Sequence, residues 1–338
     1  MSVTIEDVAE EAGVSITTVS AVINDTRYVS PQLTSKVEQA IEELDYHLDQ
    51  LGRGLRKGQS NIIGLLISDI TNPFYPKVAR GVEDCARENG YNLILCNTDE
   101  DPIEEKHYLS LLRPQRVDGM IVTPTMDGAE NIESLSEDSI PMVLIDRSIG
   151  SLDYTSIVSD NYNGSYRAAE YLIDMGHREI GFVAGIEGVQ SVDQRLAVYE
   201  DALKNNNIGL KEELIVTGNS KLKEGYEGTE RLLEDSKSLT ATFAANNLML
   251  IGVLQYLKDH SIPYPDELSI ISFDDPDWAA AVNPSITTIS QNPYKIGYKA
   301  GSKLFKSILD DEKHYASDER VVLPIQIVKR ESVKEVYP

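Results

Sequence analysis

The chain has 338 residues, of which 41% are hydrophobic and 25% charged, a composition that suits a globular protein of about two domains and excludes disorder as the default. It contains no run of about 18 apolar residues and no basic, apolar leader, so we expect neither a membrane span nor a secretory signal, and a cytoplasmic location. The 31 basic and 55 acidic side chains give a net charge of −24, which argues against a polyanionic partner.

Three short helices are predicted near the N-terminus. Thr4, followed three residues later by the carboxylate of Asp7, predicts a capped helix start. Gly13 supplies a tight turn, and Ser15 is placed to cap a second helix. Ser30, which precedes a proline, is the predicted cap of a third helix. Helix, turn and helix in this order are typical of a DNA-binding domain, although any small capping bundle also shows them.

Longer strings support the DNA-binding interpretation. They closely resemble the head of the lactose and galactose repressor (LacI/GalR) family, and they are VTIEDVAEEAGVS at 3–15, TVS at 18–20, VS at 29–30 and AIEELDY at 40–46. The resemblance implies a small all-α helix-turn-helix domain over residues 1–47 and a hinge helix over 48–60. It continues along the chain and implies an effector-binding and dimerisation domain over 61–338.

The second helix of a helix-turn-helix lies in the major groove, with its first residues at base edges. Ile16 offers methyl groups there, and Ala21 replaces an arginine that is common in the family, so the predicted operator half-site depends less on guanine. Packing inside the head is the alternative for both, and we expect it more for Ile16 than for Ala21. In the hinge, the resemblance implies that Leu55 wedges into the minor groove while basic side chains reach phosphates, unless this segment is a flexible linker. The predicted DNA-binding residues are Thr4, Ser15, Ile16, Thr17, Thr18, Ser20, Ala21, Asn24, Arg53, Leu55 and Arg56.

The distribution of charge refines the first inference from net charge. Residues 1–60 carry five basic and ten acidic side chains, but residues 51–60 carry three basic and no acidic ones. The negative charge therefore predicts weak non-specific DNA binding, with strong dependence on salt and dimerisation, rather than no DNA binding.

Apolar runs alternate with amphipathic stretches from residue 61 onward. Strands are predicted at 62–67, 92–96, 119–123, 142–145, 180–184, 241–244 and 268–273, and helices at 78–89, 104–112, 164–175, 195–205, 224–233 and 249–258. The alternation predicts an α/β effector domain of two doubly wound parallel-sheet lobes. The resemblance implies a periplasmic-binding-protein-like arrangement, with an N-lobe of about 61–160 and 291–320 and a C-lobe of about 161–290 and 321–338.

Polar and aromatic side chains follow the predicted strands, where ligands bind in such folds. Planar polar groups pair with hydroxyls and rings stack on a sugar, so we expect a small carbohydrate-like effector, although each position alone also suits a cap or turn. Strand ends predict Asp69, Asn72, Tyr75, Thr123 and Trp278 as effector-binding residues. The family's effector positions carry over as Phe74, Asp146, Arg147, Arg195, Asn246 and Asp274.

Two departures from the family bear on the effector. Ser220 stands where an aromatic residue is common, so Trp278 is expected to supply the ring. Asn247 stands where aspartate is usual and, with the two arginines, favours an acidic sugar or sugar phosphate over a neutral sugar.

Other protein classes fit the sequence less well. An enzyme is disfavoured because no glycine-rich dinucleotide or phosphate loop and no nucleophile motif occurs. The five histidines lack metal spacing, so we expect no metal or cofactor, and His177 is expected to be structural. Cys85 and Cys96 are expected to be reduced and buried. A carbohydrate-carrier protein would need an export signal and has no use for the head.

The resemblance implies an allosteric repressor of carbohydrate-utilisation genes. Two copies of the chain would form a homodimer on a near-palindromic double-stranded DNA operator, and an effector between the lobes would change operator affinity. A catabolite-control regulator that depends on a phosphoprotein partner is the alternative within the family.

Overall fold

A computed structural model of the chain describes residues 3–24, 27–46, 60–114, 117–135, 140–150, 152–309 and 319–336. It separates into two compact units, Met1–Ser60 and Asn61–Pro338. Within the described ranges, none of the helices is long and apolar enough to cross a membrane.

The first unit contains three helices, α1 (Ile5–Ala12), α2 (Ile16–Asn24) and α3 (Pro31–Glu43). The predicted capping box is present: Asp7 N donates to Thr4 Oγ1 over 3.3 Å, and Thr4 N donates to Asp7 Oδ2 over 2.7 Å. The hydrogen bonds that Asp7 Oδ2 accepts from Thr4 N and Thr4 Oγ1 lower the pKa of Asp7. Gly13 has φ +63° and ends α1, while Ser15 Oγ accepts from Thr18 N over 3.2 Å at the start of α2. The prediction for the third helix was half right, because Ser30 stands at the cap position but its side chain makes no capping hydrogen bond.

The second unit begins with a lobe built on a six-stranded sheet in the order β11-β5-β4-β3-β1-β2, with every neighbouring pair parallel. Near-continuous runs of buried aliphatic residues, such as IIGLLI in β1, form strands covered on both faces. The elements of this N-lobe are β1 (Ile62–Ile67), α4 (Phe74–Glu88), β2 (Asn92–Asn97), α5 (Pro102–Leu112), β3 (Gly119–Val122), α6 (Ala129–Glu133), β4 (Met142–Ile145), β5 (Ser156–Ser159), α11 (Pro293–Leu309) and β11 (Arg320–Leu323).

The C-lobe repeats this strand order as β12-β10-β9-β8-β6-β7, with only β12 antiparallel among the described strands. Its elements are α7 (Asn161–Asp174), β6 (Ile180–Ala184), α8 (Gln190–Asn205), β7 (Ile215–Thr217), α9 (Leu222–Asp235), β8 (Ala241–Ala244), α10 (Asn247–Asp259), β9 (Ser269–Phe273), β10 (Thr287–Ser290) and β12 (Gln326–Val328), with short 3₁₀ helices at Glu212–Leu214 and Asp277–Ala280. The two doubly wound lobes predicted from the sequence are therefore confirmed.

Each lobe contains one pair of helices in close contact through glycine. In the N-lobe, a Cβ on Gly297 of α11 would lie 2.0 Å from Val78 O of α4, and one on Gly81 would lie 2.1 Å from Tyr294 O. In the C-lobe, a Cβ on Gly252 of α10 would lie 2.1 Å from the backbone oxygen at the start of α9. These helices pack backbone against backbone, which only glycine permits.

The chain crosses between the lobes after β5, after β10 and after β11. The last crossing follows Leu323 rather than residue 320, since β11 pairs with β5 of the first sheet. The predicted strands did not include β5, β7, β10, β11 or β12. Three of these five, β7, β11 and β12, are short edge strands, where a single buried face leaves a weak apolar signal.

Candidate functional site: a helix-turn-helix head and an interlobe cleft

The start of α2 presents polar and apolar side chains on the surface of the head. Ser15, Ile16 and Thr17 are exposed, while Thr18 and Ser20 are half-buried. Packing inside the head was expected more for Ile16 than for Ala21. This expectation was wrong, because Ile16 is 45% exposed and Ala21 only 3%. Helical side chains lean toward the N-terminus, and Ile16 opens α2, so no preceding turn lies beneath it. Base contacts by these residues stay predictions.

The remaining predicted DNA contacts fall at the ends of the head. Thr4 is exposed and also caps α1. The backbone of Asn24 ends α2. The side chain of Asn24, and Arg53, Leu55 and Arg56 of the predicted hinge, lie outside the described residues.

A polar cleft lies between the two lobes, at the carboxyl ends of strands from both sheets. Its lining includes nine of the eleven predicted effector residues, namely Asp69, Asn72, Phe74, Tyr75, Asp146, Arg147, Arg195, Asn246 and Asp274. The remaining space is a cavity of about 70 Å³, well below the roughly 300 Å³ of an ordinary ligand pocket. The lobes must therefore part for a ligand the size of a sugar to enter, and cleft side chains must move aside for the lobes to close around it.

The N-lobe wall centres on Asp146, which follows β4. Tyr75 Oη donates to Asp146 Oδ2 over 3.4 Å and accepts from Ser68 Oγ over 2.5 Å. Arg147 donates to Glu100 Oε2 over 2.8 Å, a contact that outweighs burial and raises the pKa of Arg147. Burial and the negative charge of Asp146 hold the pKa of Tyr75 well above its usual value. Tyr75 therefore acts as a neutral hydrogen-bonding group.

The C-lobe wall is built around the guanidinium of Arg195 on α8. Its Nε donates to Asn161 Oδ1 over 3.0 Å, one Nη donates to Ala245 O over 2.8 Å, and its plane lies 3.7 Å from the ring centre of Phe273. Burial lowers the pKa of Arg195, partly offset by Asp274, but the group stays charged. These contacts fix the guanidinium plane before a ligand arrives.

Asp274, which follows β9, accepts hydrogen bonds from two side-chain amides. Gln291 Nε2 donates to its Oδ1 over 2.5 Å, and Asn247 Nδ2 donates to its Oδ2 over 3.3 Å. Asn247 Nδ2 also lies 2.9 Å from Asn72 Oδ1 of the N-lobe, so this amide contacts both walls. Burial raises the pKa of Asp274, although Arg195 and Gln291 oppose the shift.

Several residues in or next to the cleft have left-handed backbone conformations, which residues other than glycine rarely adopt. They are Asp99 and Glu100 beyond β2, Asp146 beyond β4, Ser220 beyond β7 and Asp274 beyond β9, with φ between +54° and +72°. Strained backbone of this kind clusters at functional sites, where the surrounding structure holds it in place.

Two predicted effector residues lie elsewhere. Thr123 is wholly buried because its amide still donates to Leu66 O within the sheet, over 2.9 Å. Trp278 lies in the 3₁₀ helix Asp277–Ala280 and packs against a C-lobe cluster of buried residues that includes Leu250 and Ile286. It therefore supplies no ring to the cleft. The aromatic wall comes instead from Phe74 and Tyr75, whose ring centres lie 5.1 Å apart, edge to face.

Sequence reasoning missed other cleft residues, notably Glu100, Lys221 and Gln291. Lys221 follows the three-residue strand β7, and Gln291 follows β10, so each was missed together with its strand. Glu100 lies three residues beyond β2, after a left-handed turn, and no pattern in the sequence marks it.

The charges of the cleft do not support the expected preference for an acidic ligand. Among the described residues that line it, four are acidic (Asp69, Glu100, Asp146 and Asp274) and three are basic (Arg147, Arg195 and Lys221). The cations already face carboxylates, which leaves no excess positive charge for an anion.

The residues judged structural from the sequence have that role. His177 is buried, with Nδ1 2.9 Å from Thr240 Oγ1 and Nε2 3.1 Å from Lys334 O. Cys85 and Cys96 are free and buried. The described ranges contain no cluster of three or more side chains suited to a metal ion.

Comparisons with known proteins agree with this architecture. Residues 4–49 match the family described as bacterial regulatory proteins, lacI family, and residues 169–333 match the periplasmic binding protein-like domain. The HTH-type transcriptional regulator RegA of Clostridium saccharobutylicum is 34% identical over 98% of this chain and 99% of its own length. Catabolite control protein A of Priestia megaterium is 34% identical over 99% of this chain and 100% of its own length. The crystal structure of the lac repressor dimer bound to operator and the anti-inducer ONPF covers 99% of this chain and 100% of that chain, with a TM-score of 0.86 at 25% identity. The chain therefore belongs to the LacI family of DNA-binding bacterial transcription regulators.

Proposed function

We propose that this regulator is a homodimeric repressor that binds a near-palindromic operator and responds to a small, neutral, polyhydroxylated ligand in the interlobe cleft. The observation that carries the proposal is the cleft itself, where carboxylates, amides and a stacked guanidinium from both sheets meet at strand carboxyl ends. A ligand that contacts both walls binds the closed arrangement better than the open one and so shifts their populations.

Polar atoms buried around the cleft support a ligand rich in hydroxyl groups. In the described part of the chain, Asn247 Oδ1 and Gln291 Oε1 are buried without a hydrogen-bond partner, and Arg147 Nε makes only an ion-pair contact of 3.5 Å with Asp146 Oδ2. An unpartnered buried polar atom costs about 1–3 kcal/mol. Hydroxyl groups both donate and accept, so a polyol satisfies a donor and two acceptors together.

A neutral ligand is favoured over an acidic one by the charge of the walls. Each basic side chain of the cleft is bonded to or faces a carboxylate, and a phosphate would lie close to Asp146 and Asp274. Like charges in a buried site repel strongly, because water screens them little. We therefore propose a neutral sugar as the ligand, in place of the sugar acid or sugar phosphate expected from the sequence.

The similarity to the transcriptional regulator RegA and to a lac repressor dimer bound to its operator supports the DNA-binding half of the proposal. We propose that α2 reads the major groove, with Ile16 in contact with thymine methyl groups. The hinge residues Arg53, Leu55 and Arg56 are proposed to contact the operator centre.

The test uses the full chain. Operator sequences are selected from a pool of random duplexes, and their affinity is measured by fluorescence anisotropy with and without a panel of neutral sugars and sugar phosphates. We expect a neutral sugar to change operator affinity, and Arg195→Lys to abolish that response because lysine keeps the charge but loses the fixed plane. Arg167→Lys, at an exposed position of α7, is the matched control and should respond as the parent does. Selection of no common sequence, or a response only to phosphates, contradicts the proposal.

A further inference from the structure

The loop after β7 is fixed to the C-lobe immediately before it reaches the cleft. Ser220 adopts φ +66°, and its Oγ accepts from Ile186 N over 3.1 Å. Its carbonyl oxygen accepts from Asn246 Nδ2 over 3.1 Å. A Cβ on Gly185 would lie 2.2 Å from Ser220 Oγ, so the loop sits directly on the end of β6. The side chain of the next residue, Lys221, starts from a rigid base.

Lys221 reaches from this base to the other lobe. Its Nζ donates to Asp69 Oδ2 over 2.9 Å and to Asp99 Oδ1 over 2.7 Å. Asp69 follows β1 and Asp99 follows β2, and Thr71 Oγ1 orients Asp69 from 2.6 Å. One ammonium group therefore joins the C-lobe to two neighbouring strand ends of the N-lobe.

The pKa shifts of Asp69 and Lys221 are those expected of an ion pair. Burial would raise the pKa of Asp69, but hydrogen bonds from Thr71 and Lys221 outweigh it and the pKa is lowered. Burial would lower the pKa of Lys221, but its bonds to Asp99 and Asp69 raise it. Both groups are therefore charged near neutral pH.

The opposite side of the cleft has a different contact between the lobes. Gln190 Oε1 accepts from Ser148 N over 2.9 Å, and Gln190 Nε2 donates to Ser148 Oγ over 3.1 Å. This amide contact carries no charge. A second ion pair also joins the lobes, because Lys77 Nζ of α4 donates to Asp277 Oδ1 of the C-lobe over 2.7 Å, with the Asp277 side chain 90% exposed. Among the described residues, Lys221 is the cation that forms ion pairs with Asp69 and Asp99, so its loss leaves two neighbouring carboxylates without this partner.

We propose that Lys221 is an electrostatic latch that holds the lobes closed before the ligand binds and thereby sets ligand affinity. The Lys221 side chain is 37% exposed, so each of its two ion pairs is modest and sensitive to salt. Loss of the latch lowers the ratio of closed to open protein by about three- to tenfold, and apparent ligand affinity falls in proportion to the closed fraction. The effect on affinity rests on the proposed function, whereas the effect on closure needs no ligand.

Closure is measured on the full chain by the distance between two spin labels, one at Ile103→Cys in the N-lobe and one at Leu210→Cys in the C-lobe. Both sites are exposed, and the native cysteines are buried. In ligand-free protein, Lys221→Met should broaden the distance distribution and shift it to longer values, and 1 M salt should do the same to the parent. Lys221→Arg should restore the parent distribution.

Lys223→Met is the matched control, since Lys223 is 75% exposed and pairs only within its helix, with Glu227 over 3.4 Å, among the described residues. It should leave the distances unchanged. If Lys221→Met fails to fold, Asp99→Asn tests the same contact from an exposed position and should lengthen the distance in part. If folded Lys221→Met gives the same distances as the parent, the latch proposal is wrong. This outcome does not depend on whether a sugar changes operator affinity.

Discussion

Replacement of Gly297 by alanine tests whether the helix crossing beneath the cleft requires backbone contact. Alanine normally stabilises a helix by up to about 1 kcal/mol relative to glycine. Here the added Cβ would lie 2.0 Å from Val78 O, and an ordinary contact begins near 3.4 Å, so α11 and α4 must separate by roughly 1.4 Å. The obstructing atom is backbone and cannot rotate away.

The separation disturbs a well-packed core. Ile296 and Ala300, on either side of Gly297, are fully buried in the N-lobe cluster. Overpacking of this kind costs about 1–3 kcal/mol, which exceeds the gain in helix propensity. After the gain in helix propensity is subtracted, we expect Gly297→Ala to lower the free energy of unfolding by up to about 2 kcal/mol.

The crossing also positions the cleft. Helix α4 begins at Phe74, and α11 begins two residues after Gln291, so a shift between the helices displaces both cleft residues. Sugar affinity should fall together with stability.

Urea unfolding followed by circular dichroism measures the first effect, and calorimetric titration measures the second. Gly209→Ala is the control, because a Cβ there has nothing within 4 Å. The reasoning is refuted if Gly297→Ala is as stable as the control, since the two helices would then tolerate a methyl group between them.

Three further predictions concern the head, the C-lobe and the cleft. Ile16→Ala should weaken binding to the selected operator and relax the preference for thymine at one position, without changing the response to sugar, as measured by fluorescence anisotropy on operator variants. Burial holds the pKa of His177 below its ordinary value, so the unfolded chain binds more protons than the folded protein and the free energy of unfolding falls as pH drops below about 6.5. Urea titrations at pH 7.5 and 5.5 should show this loss in the parent and in the exposed control His107→Gln, and less of it in His177→Gln; equal losses in all three would contradict the assignment. Asp274→Asn places an amide against two amide donors and should weaken sugar binding about tenfold or more by calorimetry.

Much of the cleft was predictable because parallel strands bring distant residues to one edge. Asp69, Asp146, Asn246 and Asp274 each follow a strand with a strong apolar run, and the topology gathers them regardless of their separation along the chain. Their convergence follows from the fold class alone.

The errors have a local origin. Thr123 was placed in the cleft because it ends a strand, but it still pairs within the sheet and its side chain stays inside the lobe. Lys221 was missed because β7 has only three residues, one of them buried. A strand that short is defined by its pairing partner β6 and not by its own sequence, so the residue that follows it has no local signal.

The internal bonds of the cleft also explain how ligand binding reaches the lobe connections. Asn161 lies at the first crossing and accepts from Arg195 Nε, and Gln291 lies at the second crossing and donates to Asp274. Each of these two crossings is therefore linked by one hydrogen bond to a residue that the ligand is proposed to contact. A change in the position of Arg195 or Asp274 acts directly on the segments about which the lobes rotate, and no long chain of intermediate contacts is required. A ligand that binds one wall alone has the same affinity for the open and closed arrangements, so it should occupy the cleft without altering operator affinity, whereas a ligand that spans both walls should alter it.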